Sequence, residues 1–103
     1  MAVIHISSTE QFIEVTKQGP VIVDFFATWC GPCKMIAPVF ERLSAENPSI
    51  KFVKVDVDAL EEICMQFSIR SMPTFVALKD GTEVQRFSGA VQDKLTAMVN
   101  LLK

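Results

Sequence analysis

The feature that most limits the fold is an apolar run, Val21-Ile22-Val23-Asp24-Phe25-Phe26-Ala27, interrupted by one carboxylate. A strand with one face in water alternates polar and apolar residues. This run does not, so both faces must be covered, as at the centre of a sheet flanked by helices. Asp24 is the anomaly, because an ionised carboxyl in such a run is costly to desolvate. It is either a proton-handling group whose pKa burial raises, or an Asp that turns outward to water at a strand end. The run continues apolar through Phe25 and Phe26, which favours the first reading.

Immediately after the run comes Thr28-Trp29-Cys30-Gly31-Pro32-Cys33-Lys34, and then Ile36, Val39, Phe40 and Leu43 at the spacing of an amphipathic helix. Two cysteines separated by two residues therefore sit where a strand hands over to a helix. The first turn of a helix has unpaired backbone N–H groups and a partial positive charge, which favour a thiolate, the nucleophilic form of cysteine. Pro32 is tolerated there because its missing N–H would have no intrahelical partner. Pro38 lies deeper in the same stretch. The apolar stripe keeps its phase across it, which favours one kinked helix over two short ones. Asn47-Pro48 stops the helix.

The rest of the chain alternates strands and helices. Val3 to Ile6 is an early strand, with His5 read as a surface or edge residue. Ser8 to Gln11 fits a capping box ahead of a helix with Phe12, Val15 and Thr16, closed by Gly19-Pro20. Lys51 to Val57 alternates, with Val53, Val55 and Val57 on one face and Phe52, Lys54 and Asp56 on the other. Asp58 with Glu61 reads as a second capping box, before a helical face of Leu60, Ile63, Cys64 and Phe67. Cys64 on that face is read as a small core hydrophobe. Thr74 to Leu78 and Val84 to Phe87 are strands joined by a hairpin at Asp80-Gly81. After Gly89, a last helix carries Val91, Leu95, Met98, Val99 and Leu102. The order β-α-β-α-β-α-β-β-α predicts an α/β fold. About five strands form a central mixed sheet, with a parallel portion, antiparallel edge strands and four helices on both faces.

Composition excludes some classes of function. The chain has 103 residues, half of them hydrophobic and eight of them Phe, which allows one domain with a real core. A formal charge of −2 gives no basis for a nucleic-acid partner. No apolar run approaches the ~20 residues of a membrane span. Met1 to Ser8 lacks the basic start, long apolar centre and cleavage site of a signal peptide, so a cytoplasmic location is expected. Three cysteines do not make a disulfide-stapled scaffold. In the cytosol, a persistent C-x-x-C points to redox or metal work.

Several stretches together resemble the thioredoxin family: Trp29-Cys30-Gly31-Pro32-Cys33 after an Asp-containing buried strand, Met72-Pro73-Thr74 entering the next strand pair, Lys54 in Val53-Lys54-Val55-Asp56, and Phe87-Ser88-Gly89-Ala90. The resemblance runs in order along essentially the whole chain and implies a single thioredoxin domain over residues 1–103. It implies a protein-disulfide reductase and redox carrier with Cys30 as nucleophile, Cys33 as resolving thiol and Asp24 as proton acceptor. Cys30 and Cys33 would form the redox-active disulfide, with Cys30 the more accessible sulfur. Gly31, Pro32 and Lys54 would tune the pair, Lys54 from beside Asp24; an ordinary surface lysine is the alternative. Pro73 resembles the family's cis-proline opposite the dithiol. Trp29, Met72, Pro73, Gly89 and Ala90 would form an apolar rim for an extended substrate strand.

No bound cofactor is implied. Reducing equivalents would come from NADPH through a flavin-containing thioredoxin reductase, and the substrates would be disulfide-containing proteins such as peroxiredoxin-, ribonucleotide reductase- or methionine sulfoxide reductase-like enzymes. A monomer is expected. Ser71 stands where certain animal members carry a further cysteine, so regulation through that cysteine is not implied.

Two other classes remain. A zinc or other metal module needs four ligands, usually as two pairs, and this chain has only Cys64 and the distant His5 to add, so no metal is assigned. An isomerase-like thiol oxidant on the same fold usually carries His between the cysteines, where this chain has Gly31-Pro32.

Overall fold

The computed structural model describes residues 3–103. In chain order the elements are β1 (Val3–His5), α1 (Thr9–Thr16), β2 (Pro20–Phe26), α2 (Gly31–Glu46), β3 (Lys51–Asp56), α3 (Glu61–Gln66), β4 (Thr74–Lys79), β5 (Thr82–Ser88) and α4 (Gln92–Leu102). The strands form one five-stranded sheet in the order β1-β3-β2-β4-β5. β3 runs parallel to both β1 and β2, and β4 runs antiparallel to β2 and β5. The apolar run therefore occupies the middle of the sheet, as its lack of alternation predicts.

The pleat sends alternate residues of β2 to opposite layers. Val21, Val23 and Phe25 pack with Phe12 of α1 and Ile63 of α3. Ile22 packs with Ile36, Phe40 and Leu43 of α2 and with Leu95, Met98 and Val99 of α4. By the same alternation Asp24 faces the α2 layer. β3 is also covered on both faces, since Val53 and Val55 join the first cluster and Phe52 the second.

Local sequence signals account for most element boundaries. Ser8 caps α1 by accepting the Gln11 N–H. The reciprocal half of the box is displaced by one residue, because Gln11 Oε1 accepts the N–H of Ser7 at 2.7 Å. α2 passes through Pro38 without ending and stops at Asn47. The Asn47 amide donates to the Leu43 carbonyl at 2.9 Å, satisfying an acceptor of the last turn. At the β4–β5 turn Asp80 and Gly81 both have positive φ, 52° and 83°, the left-handed pair of a type I′ hairpin.

The start of α3 differs from the expectation. Asp58 and Glu61 do not form a capping box: Leu60 is the N-cap residue of α3, and no side chain bonds to that helix start. Asp58 lies two positions too early to reach the first N–H groups, and its carboxylate is engaged elsewhere.

Candidate active site

β2 ends at Phe26 and α2 begins at Gly31, so Cys30 is the N-cap of α2 and Cys33 lies in its first turn. Cys30 has extended backbone geometry, φ −89° and ψ 113°, which aims its side chain back over the helix start. Its sulfur accepts the backbone N–H of Cys33 at 3.2 Å. The two sulfurs face each other in disulfide contact, with Cα atoms 5.3 Å apart. Gly31 and Pro32 between them are exposed, and a Cβ built on Gly31 would meet open space.

Accessibility does not separate the cysteines as expected. Cys30 is 6% and Cys33 4% exposed, and both pack with Ala27, flanked by Phe26, Val57 and Met72. What distinguishes the pair is the helix: Cys30 receives a helical N–H and Cys33 supplies it.

The Met72–Pro73 bond is cis, and the Met72 carbonyl oxygen lies 3.7 Å from Cys30 Sγ. The Pro73 loop is held by the Thr74 hydroxyl, which donates to the Ser71 carbonyl at 2.6 Å. The Gly89 N–H donates to the Pro73 carbonyl at 2.8 Å. Of the rim residues, Trp29 is 67% exposed, Met72, Gly89 and Ala90 are half-buried, and Pro73 is buried. The loop thus presents Met72 to solvent more than Pro73.

Asp24 is 0% exposed, and among the described residues neither carboxylate oxygen has a hydrogen-bond partner. Desolvation raises its pKa from 3.8 to about 7, with the Lys54 charge pulling it partly back. Lys54 is its register partner on β3, so the two side chains leave the sheet on the same face. The Lys54 ammonium sits over the Phe26 ring at 4.4 Å from the centroid. A cavity of about 280 Å³ on this side is bounded by Cys33, Lys34, Ala37 and Lys54. Lys54 is therefore half-buried within this group rather than a free surface lysine.

Cys64 is half-buried, with its sulfur 3.8 Å from the Val57 carbonyl, and packs at the edge of the α1/α3 cluster. Burial, and then the charges of Asp56, Asp58 and Glu61, push its thiol pKa up. Among the described residues no three His, Cys, Asp or Glu side chains gather as metal ligands would.

The residue that the sequence reading missed is Asp58. Its carboxylate accepts the Trp29 indole N–H at 2.9 Å. A contact between residues 29 positions apart leaves no periodic trace in the sequence.

Two sulfurs that can exchange one S–S bond for two thiols store an electron pair, and a domain built around such a pair is a thiol–disulfide oxidoreductase. The comparisons make this specific: a family model described as Thioredoxin matches residues 2–101, and the chain belongs to the thioredoxin family. It is 42% identical over 93 residues to Thioredoxin-1 of Caenorhabditis elegans, covering 90% of this chain and 81% of that protein. A crystal structure of Malassezia sympodialis thioredoxin superposes with a TM-score of 0.92 at 46% identity, covering 97% of this chain and 90% of that one. A third match, from a structure of the thiol resolving mechanism of a yeast mitochondrial 1-Cys peroxiredoxin via glutathione/thioredoxin systems, has a TM-score of 0.91 at 33% identity. It covers 98% of this chain and 96% of that one. The activity is dithiol–disulfide exchange, as a disulfide reductase.

Proposed function

We propose that residues 1–103 act as one monomeric domain in which Cys30 is the nucleophile and Cys33 the resolving thiol. The Cys30 thiolate attacks one sulfur of a substrate disulfide, forming a mixed disulfide and expelling the other substrate sulfur as thiolate. Cys33, deprotonated, then attacks Cys30 Sγ. The Cys30–Cys33 bond forms, the mixed disulfide breaks, and two electrons have passed to the substrate. The observation that supports this division is the Cys33 N–H donated to Cys30 Sγ at 3.2 Å, because the same donor would serve a thiolate on Cys30.

Asp24 takes the Cys33 proton. A carboxyl with a pKa of about 7 is matched to that task near neutral pH. Lys54 tunes Asp24 by its charge, while Gly31 and Pro32 keep the dithiol turn low and stiff. Trp29, Met72, Pro73, Gly89 and Ala90 form the face that takes an extended substrate segment. Electrons reach the pair from NADPH through a flavin-containing thioredoxin reductase in the cytoplasm. Peroxiredoxin-like proteins are one substrate class, in keeping with the subject of the yeast structure above. Ribonucleotide reductase- and methionine sulfoxide reductase-like enzymes are others.

The test is trapping. Cys33→Ser should accumulate mixed disulfides with protein substrates, seen as reductant-sensitive bands on a non-reducing gel, and Cys30→Ser should form none. The opposite pattern reverses the roles.

A further inference from the structure

We propose that Ser88 is a positioning residue. Its hydroxyl, acting through Thr74, holds the Ser71–Pro73 loop at a fixed gap from Gly89 and Ala90, so that a protein substrate enters a preset slot beside the dithiol. The inference rests on reading these two loops as part of the substrate-facing rim.

Thr74 and Ser88 are register partners on β4 and β5. Their hydroxyl oxygens lie 3.0 Å apart, a distance that does not say which one donates. The other bond of Thr74 does. A threonine hydroxyl carries a single proton. That of Thr74 goes to the Ser71 carbonyl at 2.6 Å, an oxygen that can only accept. The proton between Thr74 and Ser88 therefore comes from Ser88. The groups form one directed relay, Ser88 to Thr74 to Ser71, and each bond in such a chain polarises the next.

The residue after Ser88 adds a second tie. The Gly89 N–H donates to the Pro73 carbonyl at 2.8 Å. Gly89 has φ 97°, a conformation that side chains rarely adopt. Consecutive residues at the end of β5 thus grip both flanks of the loop, Ser71 through the relay and Pro73 directly. Met72 lies between the ties, with its carbonyl oxygen 3.7 Å from Cys30 Sγ.

The strand pairing does not depend on the relay. One position further into the ladder, the Phe75 and Phe87 rings stack at 5.1 Å, and by the pleat they leave the opposite face of the sheet. They hold the register whether or not residue 88 has a hydroxyl. Ser88 itself is exposed, while Thr74 is 2% exposed. Removing the Ser88 hydroxyl therefore loosens the loop without unpairing the strands. A substrate segment that packs across a loosened slot must first order it, which weakens binding.

The experiment uses the full chain with Ser88→Val and Ser88→Thr, which differ only by a methyl in place of a hydroxyl. Single turnovers of the reduced protein are measured against rising insulin concentration, and separately with a small aryl disulfide. Ser88→Val should raise the half-saturating insulin concentration about three- to tenfold, the worth of one hydrogen bond, with the limiting rate unchanged. It should leave the small disulfide unaffected, keep the stability to urea, and speed hydrogen exchange at the Gly89 amide. Ser88→Thr should match wild type in every measurement. Unchanged insulin half-saturation in Ser88→Val overturns the proposal. So does equal loss in both variants, which would point to bulk rather than the hydroxyl. Weaker insulin binding without faster Gly89 exchange also overturns it, because the loop would not have loosened. Trp29→Ala separates the two readings. If it too leaves insulin half-saturation unchanged, the rim reading itself fails. A rise in Trp29→Ala with none in Ser88→Val removes the relay alone.

Discussion

Asp24 and Lys54 stand side by side on adjacent parallel strands, a buried carboxyl with no hydrogen-bond partner among the described residues and a half-buried ammonium on the same face of the sheet. The charge of Lys54 opposes the desolvation of Asp24, but desolvation dominates and the pKa rises from 3.8 to about 7.

The first consequence is for stability. Below about pH 3.8 both folded and unfolded states hold the Asp24 proton. As pH rises, the unfolded chain loses that proton first, so the folded state binds more protons and stability falls until about pH 7, where the folded carboxyl also ionises. The total loss is of order 4 kcal/mol. Asp24→Asn should abolish this slope and be more stable than wild type by a few kcal/mol near pH 8. Urea unfolding of the oxidised protein across this range checks it; parallel pH profiles for the two proteins would show that Asp24 is not desolvated.

The same variant should be slow in catalysis. If Asp24 is the proton acceptor, its removal takes the general base from the proposed Cys33 attack, typically worth at least ~100-fold in the step it assists. Insulin reduction by Asp24→Asn should fall most near pH 7 and recover at alkaline pH, where solvent can deprotonate Cys33. Turnover equal to wild type from about pH 6 to about pH 9 would sink the proton-acceptor role.

Lys54→Gln should act on Asp24 in the opposite sense. It removes the charge that stabilises the carboxylate, so the Asp24 pKa should rise further. NMR titration of the Asp24 carboxyl carbon should show its midpoint moving to higher pH. A midpoint at or below the wild-type value would mean that Lys54 does not tune it.

Cys64 should be a bystander. Cys64→Ala removes a half-buried thiol and should cost on the order of 1 kcal/mol of stability, with insulin reduction unchanged. Burial and three nearby carboxylates push the Cys64 thiol pKa up, so mild alkylation of the reduced protein should reach Cys30 well before Cys64. Preferential labelling of Cys64 would contradict that order.

Legibility followed the range of the interaction. The strand Val21–Phe26, the continuous α2 through Pro38, the Asp80-Gly81 hairpin and the cysteines at a helix start are all written in contiguous residues, and each was readable. The burial of Asp24 was also legible, because its apolar neighbours are adjacent in sequence. Asp58 was misread because a local pattern, Asp58 with Glu61, mimics a cap while the actual partner, Trp29, is distant. The shift in β4–β5 register between Ala77 and Leu78 left no signature either. The near-equal burial of Cys30 and Cys33 follows from packing by Val57 and Met72, which arrive from other elements.

The Cys30–Cys33 pair spans only three positions and lies on a turn already shaped by the start of α2. A cross-link that closes so short a ring removes little freedom from the unfolded chain, so forming or cleaving it alters the balance between folded and unfolded states far less than a long-range bridge would. The molecule can therefore be charged and discharged repeatedly while its architecture rests on the five-stranded sheet and its two helical layers, as a battery's casing outlasts the cycling of its cell.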